Sequence, residues 1–275
     1  MDTLWEVPDE LWLRIEPILK EDWQPSAKGG RPIGNWRGYL NGIIFRMRSG
    51  CQWNQLPRRF GDDATVHRWF QRWSKNGVME KIWASLLRDC QELEGVDWEW
   101  QSADGWLGKK PALGGGENVR PNPTDRGKKG TKKSLLVEAE GGPLGLVIAG
   151  ANVNDHKLLE ATLESIAVER PAPTVEARQH LCLDKGYDNV ASEDVAARHN
   201  YIPHICRIGE EAQPADRHPS GKPRRWVVER TFGWLPKCRA LLIRYDKKDS
   251  NYLGLLQLAC DLLWFRRMWR LQGRQ

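Results

Sequence analysis

Beyond residue 95 the hydrophobic period of this chain changes in an order that few folds accommodate. Trp98, Trp100 and Ser102 alternate, so residues 96–104 read as a strand ending at Asp104. The Gly/Pro-rich, basic stretch LGKKPALGGGENVRPNPTDRGKKG, residues 107–130, reads as a loop. KSLLVE (133–138) is a second strand, EGGP a tight turn, and residues 144–149 return as a third. The period then lengthens. Leu158, Leu159, Leu163 and Ile166 share one face of a helix over 155–168. HLCLD (180–184) is a short apolar strand ending in Asp184, residues 191–199 a helix, YIPHIC (201–206) a strand, and 225–235 a last helix. The order β-β-β-α-β-α-β-α predicts three antiparallel strands extended in parallel by helix–strand units, an α/β mixed sheet.

The first 95 residues carry a different pattern, and a boundary is expected between 1–95 and 96–275. Residues 8–94 read as helical throughout. Leu11, Ile15, Ile18 and Leu19 form one stripe, and Trp36, Leu40, Ile43, Ile44 and Met47 a second. After Gly50 comes a short helical piece over 53–60 and a Gly-Asp-Asp turn, in which Asp62 or Asp63 caps the next helix. There Val66, Trp69, Phe70 and Trp73 face the core, while Arg68, Gln71, Arg72 and Lys75 lie on the opposite side. That arrangement is helix-turn-helix-like: the second helix of such a module enters the major groove of DNA with a polar, basic face. A solvated face of an ordinary helical bundle is the competing reading.

The charge balance favours a polyanion. The net charge is +6, and the basic residues cluster. Residues 222–248 hold nine Lys/Arg against two acids, Glu229 and Asp246. Six cysteines without a CxxC pair fit reduced, buried thiols in a cytoplasmic protein. His199, His204 and Cys206 are close in sequence, but their spacing matches no ordinary zinc module. MDTLWEVPDE lacks the pattern of a signal peptide, and the apolar run over 252–265 is too short and too polar to span a bilayer, so no membrane role is expected.

The strand and helix order is that of a ribonuclease H-like domain. In it the first strand is central and the fourth lies beside it, which sets Asp104 next to Asp184. The last helix, RWVVERTFGW, brings Glu229 to the same edge, with Arg225 four residues earlier on the same helix face. Three converging carboxylates repel one another unless cations join them. Mg²⁺ or Mn²⁺ takes such oxygen ligands, and two ions serve phosphodiester chemistry. Taken singly, each acid reads equally well as a turn or surface residue.

Four strings carry a closer likeness: GCQWNQLPRRFGDDATVHRWFQRW, PNPTDRGKKGTKKSLLVEAEGGPLGLVIAGANVNDHKLLE, LCLDKGYDN and RWVVERTFGWLPKCR. Together they resemble the DDE transposases of bacterial insertion sequences, in the insertion-sequence-five family and its 402-like group. The resemblance implies a ribonuclease H-like catalytic domain and a catalytic, metal-binding triad of Asp104, Asp184 and Glu229, with Asp97 the fallback for the first. It also implies two Mg²⁺ or Mn²⁺ ions, double-stranded DNA as partner (terminal inverted repeats and target), and a homodimer or larger assembly. Lys128, Lys129, Lys132, Arg225, Arg230, Lys237 and Arg239 are the further DNA-binding expectations. Where related families place a Lys seven residues after the Glu, this chain has Pro236, so the basic role moves to Lys237 or Arg239. Asp155 and Asp188 read as capping or orienting residues. A nuclease without strand transfer and a DNA-binding regulator derived from a transposase are the alternatives.

Overall fold

The computed structural model describes residues 4–23, 34–109, 116–123, 126–205 and 218–273. Its sheet comprises β1 (Trp100–Lys109), β2 (Arg120–Pro121), β3 (Lys129–Glu138), β4 (Pro143–Gly150), β5 (His180–Leu183) and β6 (Ile202–Ile205). The β3–β4 hairpin turns through Gly141, whose φ of 80° is left-handed and open to glycine at little cost. β1 lies antiparallel on the other side of β3, and β5 and β6 follow in parallel, giving the order β2-β3-β1-β5-β6 with β4 beside β3. Three antiparallel strands extended by two parallel ones is the ribonuclease H-like order, with β1 central.

Helices cover both faces. On one face α5 (Leu159–Glu164) meets β3, where Thr162 Oγ1 and Ser134 Oγ are 2.7 Å apart; α6 (Val190–Arg198) follows β5 in the chain. On the other lie α7 (Trp226–Trp234), α8 (Arg239–Leu242) and α9 (Asp249–Leu271). Phe232 of α7 packs on Trp106 of β1. Lys133 of β3 is fully buried, donates to the Leu241 carbonyl at 3.2 Å and sits 3.9 Å from the centre of the Trp106 ring. Burial pushes its ammonium down to about 7.

The N-terminal segment is helical: α1 (Asp9–Asp22), α2 (Trp36–Ser49), α3 (Asp63–Lys75) and α4 (Val78–Glu92). Asp62 caps α3 by accepting from Thr65 N, and Gly50 closes α2 at φ 71°. This segment does not stand apart from the sheet. One continuous set of buried residues runs from Val7 through α2, α3, α4 and the strands to Met268. Trp83 of α4 and Trp264 of α9 both donate their indole N–H to the Pro143 carbonyl, at 3.2 and 2.7 Å.

Several elements differ from the sequence expectation. β1 does not end at Asp104; it continues to Lys109, pairing Leu107 with Lys132 and Gly108 with Thr131. Glycines and lysines masked that extension, which backbone bonds to β3 sustain. The stretch expected as a loop over 107–130 therefore holds the end of β1 and all of β2. The helix expected over 155–168 is shorter: a 3-10 turn, Asp155–Leu158, leads into α5, and Ile166 is drawn off to bridge Gly145, with Ala167 N donating to the Leu144 carbonyl. The piece over 53–60 is two 3-10 turns, Trp53–Gln55 and Arg58–Phe60. Cys206 and most of the Pro/His-rich loop before α7 lie outside the described residues.

Candidate active site

The centre of the site is set by the register of β1 and β5. Ser102 pairs with Cys182 in parallel, and β5 ends at Leu183. Two residues further along both strands, Asp104 and Asp184 stand level where the strands part. Side chains alternate along β1. Ser102 lies against the Arg224 carbonyl and Trp106 against Phe232, so Asp104, between them, faces α7. Asp184 leaves β5 into a 3-10 turn, where its carboxylate accepts from Gly186 N at 2.6 Å.

Glu229 comes from α7, and Arg225 joins it to the sheet. The guanidinium lies 2.5 Å from Glu229 Oε1 and 3.7 Å from Asp104 Oδ2. One cation thus bridges the acid of the central strand and the acid of the helix. Asp104 is 19% exposed at its side chain and Glu229 47%. Burial raises the Asp104 carboxyl to about 6, the charges of Asp184 and Asp155 push the same way, and Arg225 and the Gly105 N–H oppose them. An acid raised by burial and by like charges, beside a second acid, carries its negative charge at a cost that added positive charge would relieve. The donor set is all oxygen, which suits a hard divalent ion.

The other face of β1 supplies a fourth acid. Gly105 points toward Asp155, and any side chain at 105 would collide with the Asp155 carboxylate. Asp155 is held 3.0 Å from Lys132 Nζ. Tyr187, fully buried, lies in the field of Asp155, Asp104 and Asp184, which adds to the effect of burial in raising its phenol. The Asp155–Lys132 pairing and the need for glycine at 105 were not read from the sequence; the nearest signal was Asp155 itself, which opens an expected helix.

The remaining expected residues divide. Asp97 precedes β1 and accepts from Glu99 N, away from the acids at the strand split. Asp188 ends the 3-10 turn after Asp184. Lys128, Lys129, Lys237 and Arg239 are exposed, as are Arg68 and Lys75 on α3. Arg230 donates to the Glu140 carbonyl at 2.6 Å and lies near the Trp226 and Trp234 rings. Arg72 is tied back to α1 while its side chain stays 40% exposed: it donates to the Asp22 carboxylate at 3.0 Å and the Asp22 carbonyl at 2.6 Å, joining α3 to the end of α1. Gln71 lies 3.0 Å from the His67 ring nitrogen. His199 and His204 separate. His204 meets His180 at 2.8 Å, while His199 gathers with Glu160 and Glu164, all three ligand atoms within 4.8 Å of one another.

The family whose description is "Transposase DDE domain" matches residues 97–264, which include all three acids. The chain belongs to that family. The family described as "Putative transposase of IS4/5 family" matches residues 7–83, the N-terminal helices of this DDE chain. Among similar proteins is the "Putative transposase for insertion sequence element IS402" of Burkholderia cepacia, 33% identical over 146 residues, 52% of this chain and 66% of that one. The chain thus spans just under two thirds of that relative. "Uncharacterized protein y4sN" of Sinorhizobium fredii is 34% identical over 35% of this chain and 70% of its own length. Among solved structures, the piggyBac transposase synaptic complex with hairpin DNA aligns over 99% of this chain and 75% of that one, at 11% identity and a TM-score of 0.47. Members of the DDE family use divalent metal. Among the described residues, no helix is long and apolar enough to cross a membrane.

Proposed function

We propose that the chain is an insertion-sequence transposase that cuts DNA at the element's ends and joins them to target DNA. The observation that carries this reading is Arg225 lying between Asp104 and Glu229, while Asp184 adds to the raised charge cost of Asp104. Asp104, Asp184 and Glu229 would hold the metal, Mg²⁺ or Mn²⁺, as two ions. Bound there, such ions lower the proton affinity of an attacking oxygen and stabilise the leaving one.

The protein's own part is positioning and charge. In the first step a water oxygen bonds to phosphorus at the element boundary, the P–O3′ bond breaks, and the element keeps a free 3′-hydroxyl. In the second, that 3′-oxygen bonds to a target phosphorus and the target's own 3′-oxygen leaves. Arg225, beside Asp104 and Glu229, would supply a cation for a DNA phosphate at the same edge. Lys128, Lys129, Lys237 and Arg239 supply cations for the DNA backbone. Residues 1–95 would hold the inverted repeats, with Arg68 and Lys75 the outward cations of α3, and 96–275 the chemistry. Because both ends must be processed together, the working form is a homodimer or larger assembly on DNA in the cytoplasm.

The test uses labelled duplexes carrying the element's own ends, a target plasmid and Mg²⁺ or Mn²⁺, with wild type beside Glu229→Gln. Nicking at the boundary and joining to plasmid, both lost in the variant, are expected. Nicking without joining would replace the reading with a nuclease, and tight end binding with neither product would replace it with a regulator.

A further inference from the structure

A second ion pair meets the central strand from behind. Asp155 opens the 3-10 turn ahead of α5, and its carboxylate fills the space that a Cβ at Gly105 would take. The Gly105 N–H in turn donates to Asp104 Oδ1 at 2.7 Å. A single residue without a side chain therefore separates the two carboxylates. Asp155 is near enough for its charge to act on the Asp104 carboxyl, and the buried Tyr187 phenol lies in the field of both, together with Asp184.

Lys132 holds Asp155 in that position. From β3 its Nζ reaches both carboxylate oxygens, at 3.0 and 3.1 Å. The lysine side chain is 14% exposed and that of Asp155 35%, so water and salt screen the pair less than they screen a surface pair. Among the described residues, Asp104, Asp155, Asp184 and Glu229 have Arg225 and Lys132 as the cations at ion-pair distance. A cation arriving at Asp104 is attracted by Asp155 and repelled by Lys132, with only the Gly105 backbone between.

We propose that Asp155 and Lys132 are positioning residues that set how tightly Asp104, Asp184 and Glu229 take up a divalent ion. Asp155 places negative charge behind Asp104. Lys132 fixes that carboxylate against Gly105 and offsets part of its charge. The inference deepens the transposase reading and rests on it for one point, that the three acids hold the metal. A salt bridge that only ties β3 to the turn before α5 makes a different prediction: removing either partner lowers the melting temperature and leaves metal affinity where it was.

The experiment is Mn²⁺ titration of the full chain, with free ion counted by electron paramagnetic resonance. Wild type is compared with Asp155→Asn, Lys132→Met, Lys132→Arg and Glu229→Gln, and the melting temperature is taken on each. Asp155→Asn leaves Lys132 uncompensated and is expected to weaken Mn²⁺ binding about tenfold. Lys132→Met frees the charge of Asp155 and is expected to tighten it about threefold or more, while Lys132→Arg stays within about twofold of wild type. Unchanged affinity in Asp155→Asn and Lys132→Met, or a shift of both in one direction, overturns the proposal whatever the melting temperatures do. If Asp155→Asn does not fold, Lys132→Met against Lys132→Arg decides: tighter binding in the first alone supports the proposal, and anything else overturns it. Glu229→Gln tests the reading beneath. Mn²⁺ binding lost in that variant places the ion at the three acids, so a failure at 155 and 132 then sinks this proposal alone. Binding that Glu229→Gln leaves intact, or no wild-type binding at millimolar Mn²⁺, overturns the three acids as the metal site and the proposal with them.

Discussion

Asp104 and Glu138 are both acids on neighbouring antiparallel strands, both withdrawn from water, and burial raises both carboxyls. Their surroundings then diverge. Glu138, fully buried at the end of β3, has Arg267 at 2.8 Å and accepts from the Gly142 N–H. Asp104 has Arg225 only at 3.7 Å, shares that cation with Glu229, and lies in the field of Asp184 and Asp155. One end of the sheet closes its charge account locally; the other leaves negative charge in excess. The first arrangement holds a turn in place, and the second is suited to taking up cations.

The largest effect expected from this contrast is on chemistry. Glu229→Gln should lower metal-dependent end cleavage by about a thousandfold or more, roughly 4 kcal/mol of barrier, with little change in melting temperature. A variant that melts early instead would make Glu229 an acid of the Glu138 kind. Next comes stability: Glu138→Ala strands Arg267 beside a buried turn and should cost about 3–5 kcal/mol in denaturant unfolding. A loss below roughly 1 kcal/mol would show that the pair is not needed there.

Asp104→Asn should move stability the other way. The folded-state carboxyl titrates near 6 instead of 3.8, so the folded chain binds this proton more tightly than the unfolded one. The wild type therefore gains stability at this group as pH falls from about 6 to about 4, and carries the ionised cost above that range. At pH 7 without metal, Asp104→Asn is expected to be more stable by about 1–3 kcal/mol, the gain fading below about pH 4, while cleavage is lost. Destabilisation at pH 7 would mean that the site is already balanced.

The smallest effects separate the cations of α3. Arg68→Ala and Lys75→Ala should each reduce the salt slope of end-DNA binding by about 1. Arg72→Ala should leave the slope alone and cost about 1 kcal/mol of stability, since it loses the Asp22 carboxylate and carbonyl. The reverse pattern would return Arg72 to the DNA.

How much of this was legible depended on whether a signal was local. The order of strands and helices followed from period, and the family likeness pointed to the three acids. What the period could not give was the length of β1, because Gly108 and Lys109 read as loop residues until β3 lies beside them. Nor could spacing along α3 tell Arg72 from Arg68; the difference is Asp22, fifty residues away. Lys132 read as a DNA cation for the same reason, although Asp155 holds it. Partners distant in sequence decide which charges remain available, and no short window contains them.

The Pro143 carbonyl, shared by Trp83 and Trp264, has a practical consequence. Nicking the backbone between α4 and β1 should not release two pieces. The fragments would stay associated through the buried faces of α4 and α9, and could be made separately and recombined. The N-terminal fragment made alone would expose Trp83, Leu86 and Leu87 to water and require its partner to remain dispersed. For this chain, a shared interior makes the helical segment a tenant of the sheet rather than a neighbour.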